Sequence, residues 1–230
     1  AKMKKHLKRI AAPSTWAILR KSAQFVTRPK GPYELKHGTS LITLLKDVLH
    51  LAATNKECKL VLHHKQITVN SVRRRDGKFM VGLMDVLHIK DTNETYRVLI
   101  NPSGKLEPLK IQGEEANIKP CKVIGKRVVK NSKVQLALHD GTALIASNDY
   151  RTGDTVVLKF PKAVAGHMRL AKGSLAYLTG GSHVGKLGKI VDISADKAVL
   201  EVNAEVVEAK KGFVFVIGEG STTVISLFKS

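Results

Sequence analysis

The chain carries 39 lysines and arginines against 19 acids in 230 residues, a formal net charge of +20 with a pI near 10.0. A hydrophobic content of 43 % excludes a chain disordered throughout, and solubility alone requires a net charge of only about 2–8, so a polyanionic partner is implied. Two distant cysteines, Cys58 and Cys121, exclude a disulfide framework, and no apolar run approaches the roughly 20 residues of a membrane span, which predicts a cytosolic protein without membrane contact.

The charge is uneven. Residues 1–36 hold ten cations and a single acid, Glu34, so nearly half the surplus lies in the first sixth of the chain. This segment has Pro13, Pro29, Gly31 and Pro32 and no long apolar period, which predicts an extended or partly helical basic arm ordered by a partner. Lys2, Lys4, Lys5, His6, Lys8, Arg9, Arg20, Lys21, Arg28 and Lys30 are its candidate phosphate ligands. Trp16, with Phe25 and Tyr33, offers flat rings for base stacking or for docking on a protein.

Residues 37–90 predict a compact module. Leu41, Ile42, Leu44, Leu45, Val48, Leu49 and Ala52 fall on one helical face, with Ser40 as N-cap. Thr54 and Glu57 form a capping-box pattern that opens a second helix. Cys58, Val61 and Leu62 are its apolar face, and Lys56, Lys59, His63, His64 and Lys65 its cationic side and end. The two histidines are neighbours and point apart, which does not suit a metal pair. A strand at 66–69, a turn at Asn70-Ser71 and the run Arg73, Arg74, Arg75 follow. On a strand, at most two of those arginines face the same phosphate path. Asp85, the one acid in an apolar stretch, is expected to hold backbone donors.

From 91 to 170 short strands alternate with turns: 96–100, 106–111, 121–125, 128–129, 134–138, 142–145 and 155–160, with His139-Asp140-Gly141 as a hairpin signal. The spacing predicts a small barrel or curled sheet. Lys126 and Arg127 either extend the basic surface or guard a strand edge. At 180–186 the sequence fits GxxxxGK, yet Leu187 stands where a nucleotide loop needs Ser or Thr, and a strand pattern replaces the required helix. A hairpin is predicted instead, from 175–179 to 189–193, followed by strands at 197–202, near 206 and at 213–217. Its glycine loop either lets RNA backbone come close to donors His183, Lys186 and Lys189 or is simply a tight turn.

Four stretches together resemble the small-subunit ribosomal protein family S4e: His6-Leu-Lys-Arg-Ile-Ala-Ala-Pro13 with Trp16; Val81-Gly-Leu-Met-Asp-Val86; Thr179-Gly-Gly-Ser-His-Val-Gly-Lys-Leu-Gly-Lys-Ile190; and Phe215-Val-Ile-Gly-Glu219 with Ile225-Ser-Leu227. Ser71 stands where that pattern leads one to expect a turn glycine. The resemblance, closest to archaeal members, implies a multi-domain α+β protein. Its parts would be a basic N-terminal arm (1–36), an S4-like RNA-binding domain (37–90), a central β domain (91–170) and a C-terminal SH3-like barrel with a KOW motif (171–230). It implies ribosomal RNA and neighbouring small-subunit proteins as partners, no homo-oligomer, no cofactor, no metal and no enzymatic activity. The residues themselves also admit a free RNA-binding translation or stress factor. They hold no nucleophile–base arrangement, metal set or intact nucleotide loop for an enzyme.

Overall fold

The computed structural model describes residues 6–129, 133–161, 163–220 and 222–228. It is a mixed α/β protein, mostly β with few helices, and the chain forms two compact units. One takes the chain to Ala116 except for Asn101–Ser103; the other takes that short segment and everything from Asn117 on.

The first unit opens with β1 (Leu7–Lys8) paired antiparallel to β2 (Phe25–Val26), which closes residues 9–24 into a loop. The expected extended arm is therefore a clasped one. β3 (Gly38–Ser40) leads into α1 (Leu41–Thr43), and Ser40 caps it, its hydroxyl accepting from the Thr43 amide at 3.2 Å. The helix is shorter than its apolar period, which runs to Ala52. Leu44–Val48 is a π turn, closed by the Leu49 amide donating to the Leu44 carbonyl at 2.9 Å, and His50 at φ 52° ends it. Apolar spacing alone does not distinguish α from π winding. α2 (Asn55–His64) has the predicted capping box at Thr54 and Glu57.

β4 (Ile67–Val69) and β5 (Val72–Arg73) form a hairpin whose turn residues, Asn70 and Ser71, both have positive φ, 53° and 63°. The left-handed requirement that favours glycine at this turn is thus real, and serine meets it at some strain. β6 (Met80–Gly82) pairs with β3, while β7 (Val86–Ile89), β8 (Glu94–Ile100) and β9 (Leu106–Ile111) complete a sheet of order β5-β4-β7-β8-β9.

The Val81–Val86 stretch organises this unit. The Asp85 carboxylate accepts from the Gly82 amide (2.8 Å), the Tyr33 hydroxyl (2.7 Å) and the Asn70 side-chain amide (2.7 Å). Asn70 in turn accepts from the Val86 amide at 3.0 Å. Gly82 is required because the Tyr33 ring lies where a Cβ would be, 2.6 Å away. Asp85 is 1 % exposed, so Asp85→Ala strands the buried Gly82 amide and two partly buried donors, the Tyr33 hydroxyl and the Asn70 side-chain amide. It is expected to lower stability by about 3 kcal/mol in urea unfolding. A loss below about 1 kcal/mol would mean that water replaces the carboxylate.

The second unit is all antiparallel β. β10 (Ile118–Val128), β11 (Val134–Leu138), β12 (Ala143–Ala146), β13 (Thr155–Lys159) and β14 (Ala163–Met168) make a sheet of order β12-β11-β10-β13-β14. The two strands expected at 121–125 and 128–129 are one, with a bulge between Val123 and Gly125. β15 (Ser174–Leu178), β16 (Leu187–Ile193), β17 (Lys197–Val202) and β18 (Glu205–Lys210) form a meander. β19 (Val214–Glu219) returns to pair with β15 and carries β20 (Thr222–Thr223) on its far edge.

β13 serves two cores. Val156 and Leu158 pack with Cys121, Val123, Leu136 and Leu138, while Val157 packs with Ala176, Ile190, Leu200 and Val216. A strand buried on both faces must read as a continuous apolar run, and Thr155-Val-Val-Leu158 does.

Candidate nucleic-acid interface

In the first unit the cationic side of α2 meets the β4–β5 hairpin. Lys56, Lys59 and His63 recur at helical spacing and are exposed, whereas Cys58 and Leu62 on the opposite side are fully buried. The Ala53 amide, then the Thr54 hydroxyl, hold the Glu57 carboxyl below its usual value. The one acid of the helix is therefore committed to its N-terminus and does not neutralise the lysines. At the other end Arg73 donates to the His63 carbonyl at 3.2 Å, which brings helix end and hairpin together and places a cation where the helix dipole favours it.

The three consecutive arginines part ways. β5 ends at Arg73, so strict strand alternation does not govern them. Arg74 lies over the Phe79 ring, 4.2 Å from its centroid, and Arg75 is exposed. His64 is exposed beside His63, and Lys65, half-buried, lies 3.9 Å from Asp91. Among the described residues, Lys56, Lys59 and Arg75 have no carboxylate within ion-pairing distance. Leu60 (52 % exposed) and Val72 (49 %) sit among these cations and carry no signal of that role in the sequence pattern of the hairpin.

The arm divides into cations that face solvent and cations that build it. Lys2, Lys4 and Lys5 lie outside the described residues. His6, Lys8, Lys21 and Lys30 are exposed, and the His6 ring meets Phe25 edge-on at 5.4 Å. Arg9, Arg20 and Trp16 are structural. Arg9 is 3 % exposed, donating to the Leu19 carbonyl at 2.6 Å and to Asp47 at 2.9 Å. Arg20 donates to the carbonyls of Ile10, Ala12 and Pro13 at 2.9–3.0 Å. Trp16 is 3 % exposed, its indole N–H shared between the carbonyls of Leu35 (2.9 Å) and Gly38 (3.0 Å). A ring so enclosed cannot stack on a base, which corrects the stacking expectation. Arg28 is half-buried and has partners of its own.

In the second unit Lys126 donates to the carbonyls of Asn148 (2.6 Å) and Tyr150 (2.9 Å), and Arg127 to Gln135 at 2.9 Å. Both are hydrogen-bonded locally and both are exposed. The glycine loop joins β15 to β16 as a hairpin, with a strand and no helix after Lys186, so it is not a nucleotide-hydrolysis loop. Leu178 and Lys186 close its base, the Leu178 amide donating to the Lys186 carbonyl at 3.0 Å, while Thr179 donates twice to the Phe213 carbonyl. A side chain at Gly180 would displace the Phe213 ring, which lies 2.8 Å from where its Cβ would be. Lys189 is exposed on β16, and Lys186 and His183 are half-buried. Among the described residues there is no group of three or more potential metal ligands, and no helix is long and apolar enough to cross a membrane.

Comparison with known proteins matches residues 92–163 to the family model "Ribosomal family S4e" and residues 3–34 to the RS4NT domain. The chain is 38 % identical to the small ribosomal subunit protein eS4 of Methanocella arvoryzae, over 95 % of this chain and 96 % of that protein. It is 35 % identical to that of Methanosphaera stadtmanae, over 97 % and 96 %. The crystal structure of the 30S ribosomal protein S4e from Thermoplasma acidophilum superposes with a TM-score of 0.72 at 30 % identity, covering 82 % of this chain and 99 % of that one.

Proposed function

The chain belongs to the ribosomal protein family S4e, and from that membership we infer that it is a structural constituent of the small ribosomal subunit, not an enzyme. It resides on the ribosome in the cytoplasm, associated with ribosomal RNA and with neighbouring subunit proteins. Each chain enters singly and needs no membrane. In the finer architecture we propose, residues 37–90 form an S4-like RNA-binding domain, 91–170 a central β domain, and 171–230 a KOW-type SH3-like barrel. The exposed residues of the 1–36 arm and the α2–hairpin face are the main electrostatic grips.

The observation that carries this reading is the cationic face of Lys56, Lys59, His63 and Arg75, exposed and, among the described residues, with no carboxylate within ion-pairing distance. Phosphates are the ligand such a face fits, and release of condensed counterions supplies the affinity. Replacing Lys56, Lys59 and Arg75 together by alanine is expected to weaken binding to small-subunit ribosomal RNA and to flatten the slope of log K against log salt, by about 0.7–0.9 for each phosphate no longer neutralised. The thermal transition stays in place, since these side chains hold nothing inside the fold. An unchanged slope assigns the face to another partner, and recovery of the protein in the free pool after a moderate-salt wash of ribosomes overturns the structural role.

A further inference from the structure

β18 is the last strand of its sheet. It pairs with β17 along its whole length, and among the described residues no strand lies on its other side. A free strand edge presents amide donors and carbonyl acceptors at the two-residue repeat of another polypeptide. Nucleic acid has no ladder that matches it.

A cavity of about 170 Å³ lies along the same strand, lined by Val207 and Ala209 of β18, by Leu178 and Phe213, and by the loop at 180–183. About 150 Å³ of apolar space accommodates one benzene, so the cavity has room for one aliphatic or aromatic side chain. Val206, whose side chain alternates away from it, is 71 % exposed.

The charge beside this edge selects the kind of partner. Residues 190–209 carry Asp192, Asp196, Glu201, Glu205 and Glu208 against Lys197 alone, in a chain with twice as many cations as acids. Asp192 is ion-paired to Lys172 and Glu208 to Lys197, both at 2.8 Å. Glu201, which lies opposite Val206 in the β17–β18 register, and Glu205 are exposed, and among the described residues neither has a cation within ion-pairing distance. Phosphates are repelled from such a stretch, whereas a basic polypeptide is drawn to it.

We propose that β18 receives an extended segment of a neighbouring small-subunit protein as an added strand, with one apolar side chain of that segment in the cavity and basic side chains beside Glu201 and Glu205. The proposal rests on the reading of the chain as a ribosomal protein and names where one protein neighbour docks. Main-chain pairing supplies the attachment, while the cavity and the carboxylates choose the sequence attached, because the side chains of an added strand alternate between the two faces.

The test places a photo-crosslinker on the edge, Val206→p-benzoylphenylalanine, in the full chain assembled into small subunits. The expected product joins position 206 to a segment of another subunit protein in which lysine or arginine flanks an apolar residue. A crosslink to ribosomal RNA, to a second copy of this chain or to a segment without basic residues overturns the proposal, as does the absence of any crosslink in assembled subunits. If the unaltered chain does not enter subunits at all, the underlying reading fails instead. A second measurement, on the free ¹⁵N-labelled chain, separates strand pairing from charge attraction. Its probe is a capped peptide that alternates lysine with valine. The peptide is expected to shift the amides of residues 205–210 in a saturable titration and to slow their exchange with solvent. N-methylation of its central amides abolishes the response, and Glu201→Lys with Glu205→Lys weakens it about three- to tenfold. No response to the unmethylated peptide, or an equal response to the methylated one, overturns the added strand.

Discussion

Asp140→Asn is expected to lower the stability of the second unit by about 3–5 kcal/mol, because it removes the carboxylate to which the buried Lys119 ammonium is ion-paired. Lys119 is 2 % exposed, and its Nζ donates to Asp140 Oδ2 at 2.8 Å. The same carboxylate accepts from the Thr142 amide at 2.9 Å, so it also shapes the β11–β12 turn. Burial pushes the Asp140 carboxyl up, but the charge and hydrogen bond of Lys119, the Thr142 amide and the nearby His139 outweigh it and hold the group at about 2, from an ordinary 3.8.

That direction fixes the sign of the acid dependence. A carboxyl whose folded value is depressed contributes stability that is present in full above its unfolded value and is lost as pH falls through the folded one. The unaltered chain should therefore lose part of its stability between about pH 4 and pH 2 from this group. The asparagine variant should lack that component. Urea midpoints at neutral pH and an acid titration of each protein read both effects. A loss under about 1 kcal/mol at neutral pH would mean that water screens the pair as it does at a surface. Lys119→Met with Asp140→Leu should recover much of the loss, since an apolar pair removes the uncompensated charge.

Trp16→Ala is expected to lower the stability of the first unit by about 3–5 kcal/mol, the range for removing a large buried aromatic. It should also free the arm. Trp16 is the single tryptophan, so the unaltered chain should show emission shifted to the blue, as an enclosed indole does. Around it the Thr15 hydroxyl donates to the Lys36 carbonyl at 2.7 Å, and the Leu106 amide to the Thr15 carbonyl at 2.7 Å. Circular dichroism follows the unfolding of the variant, and limited proteolysis reports whether residues 9–24 become cleavable. A released arm also presents Lys8, Lys21 and Lys30 less firmly, so affinity for RNA should fall while the salt slope changes little, the cations being retained. Trp16→Phe keeps most of the packing and loses the N–H, which should lower stability by only about 1 kcal/mol. A stable, protease-resistant Trp16→Ala chain would show that the clasp holds without its anchor.

The local signals in the sequence were strong because the physics behind them is local. Ser40 and the Thr54–Glu57 box were readable because capping involves residues three apart. Most strands were readable from alternation and turn residues. β14 was missed: Ala163-Val-Ala-Gly-His-Met168 has small residues and no alternation, and it becomes a strand by pairing with β13. Residues 121–125 and 128–129 read as two strands and are one, with Ile124 left without a register partner at a bulge, a distinction made by the partner strand.

By itself, then, the sequence determined the uneven charge, the capped helix, the strand-rich chain and, through four motifs, the family. Only the tertiary structure decided which cations are available. Arg9 finds Asp47 38 residues away, Arg20 closes on the carbonyls of its own loop, and Lys119 meets Asp140 21 residues away. The physical reason is that a charge count is a property of composition, whereas desolvation and pairing depend on what long-range folding brings within hydrogen-bond reach. The basic arm illustrates both halves. Its charge was legible at once, but Arg9, Arg20 and Trp16 turned out to build the clasp, while His6, Lys8, Lys21 and Lys30 are exposed.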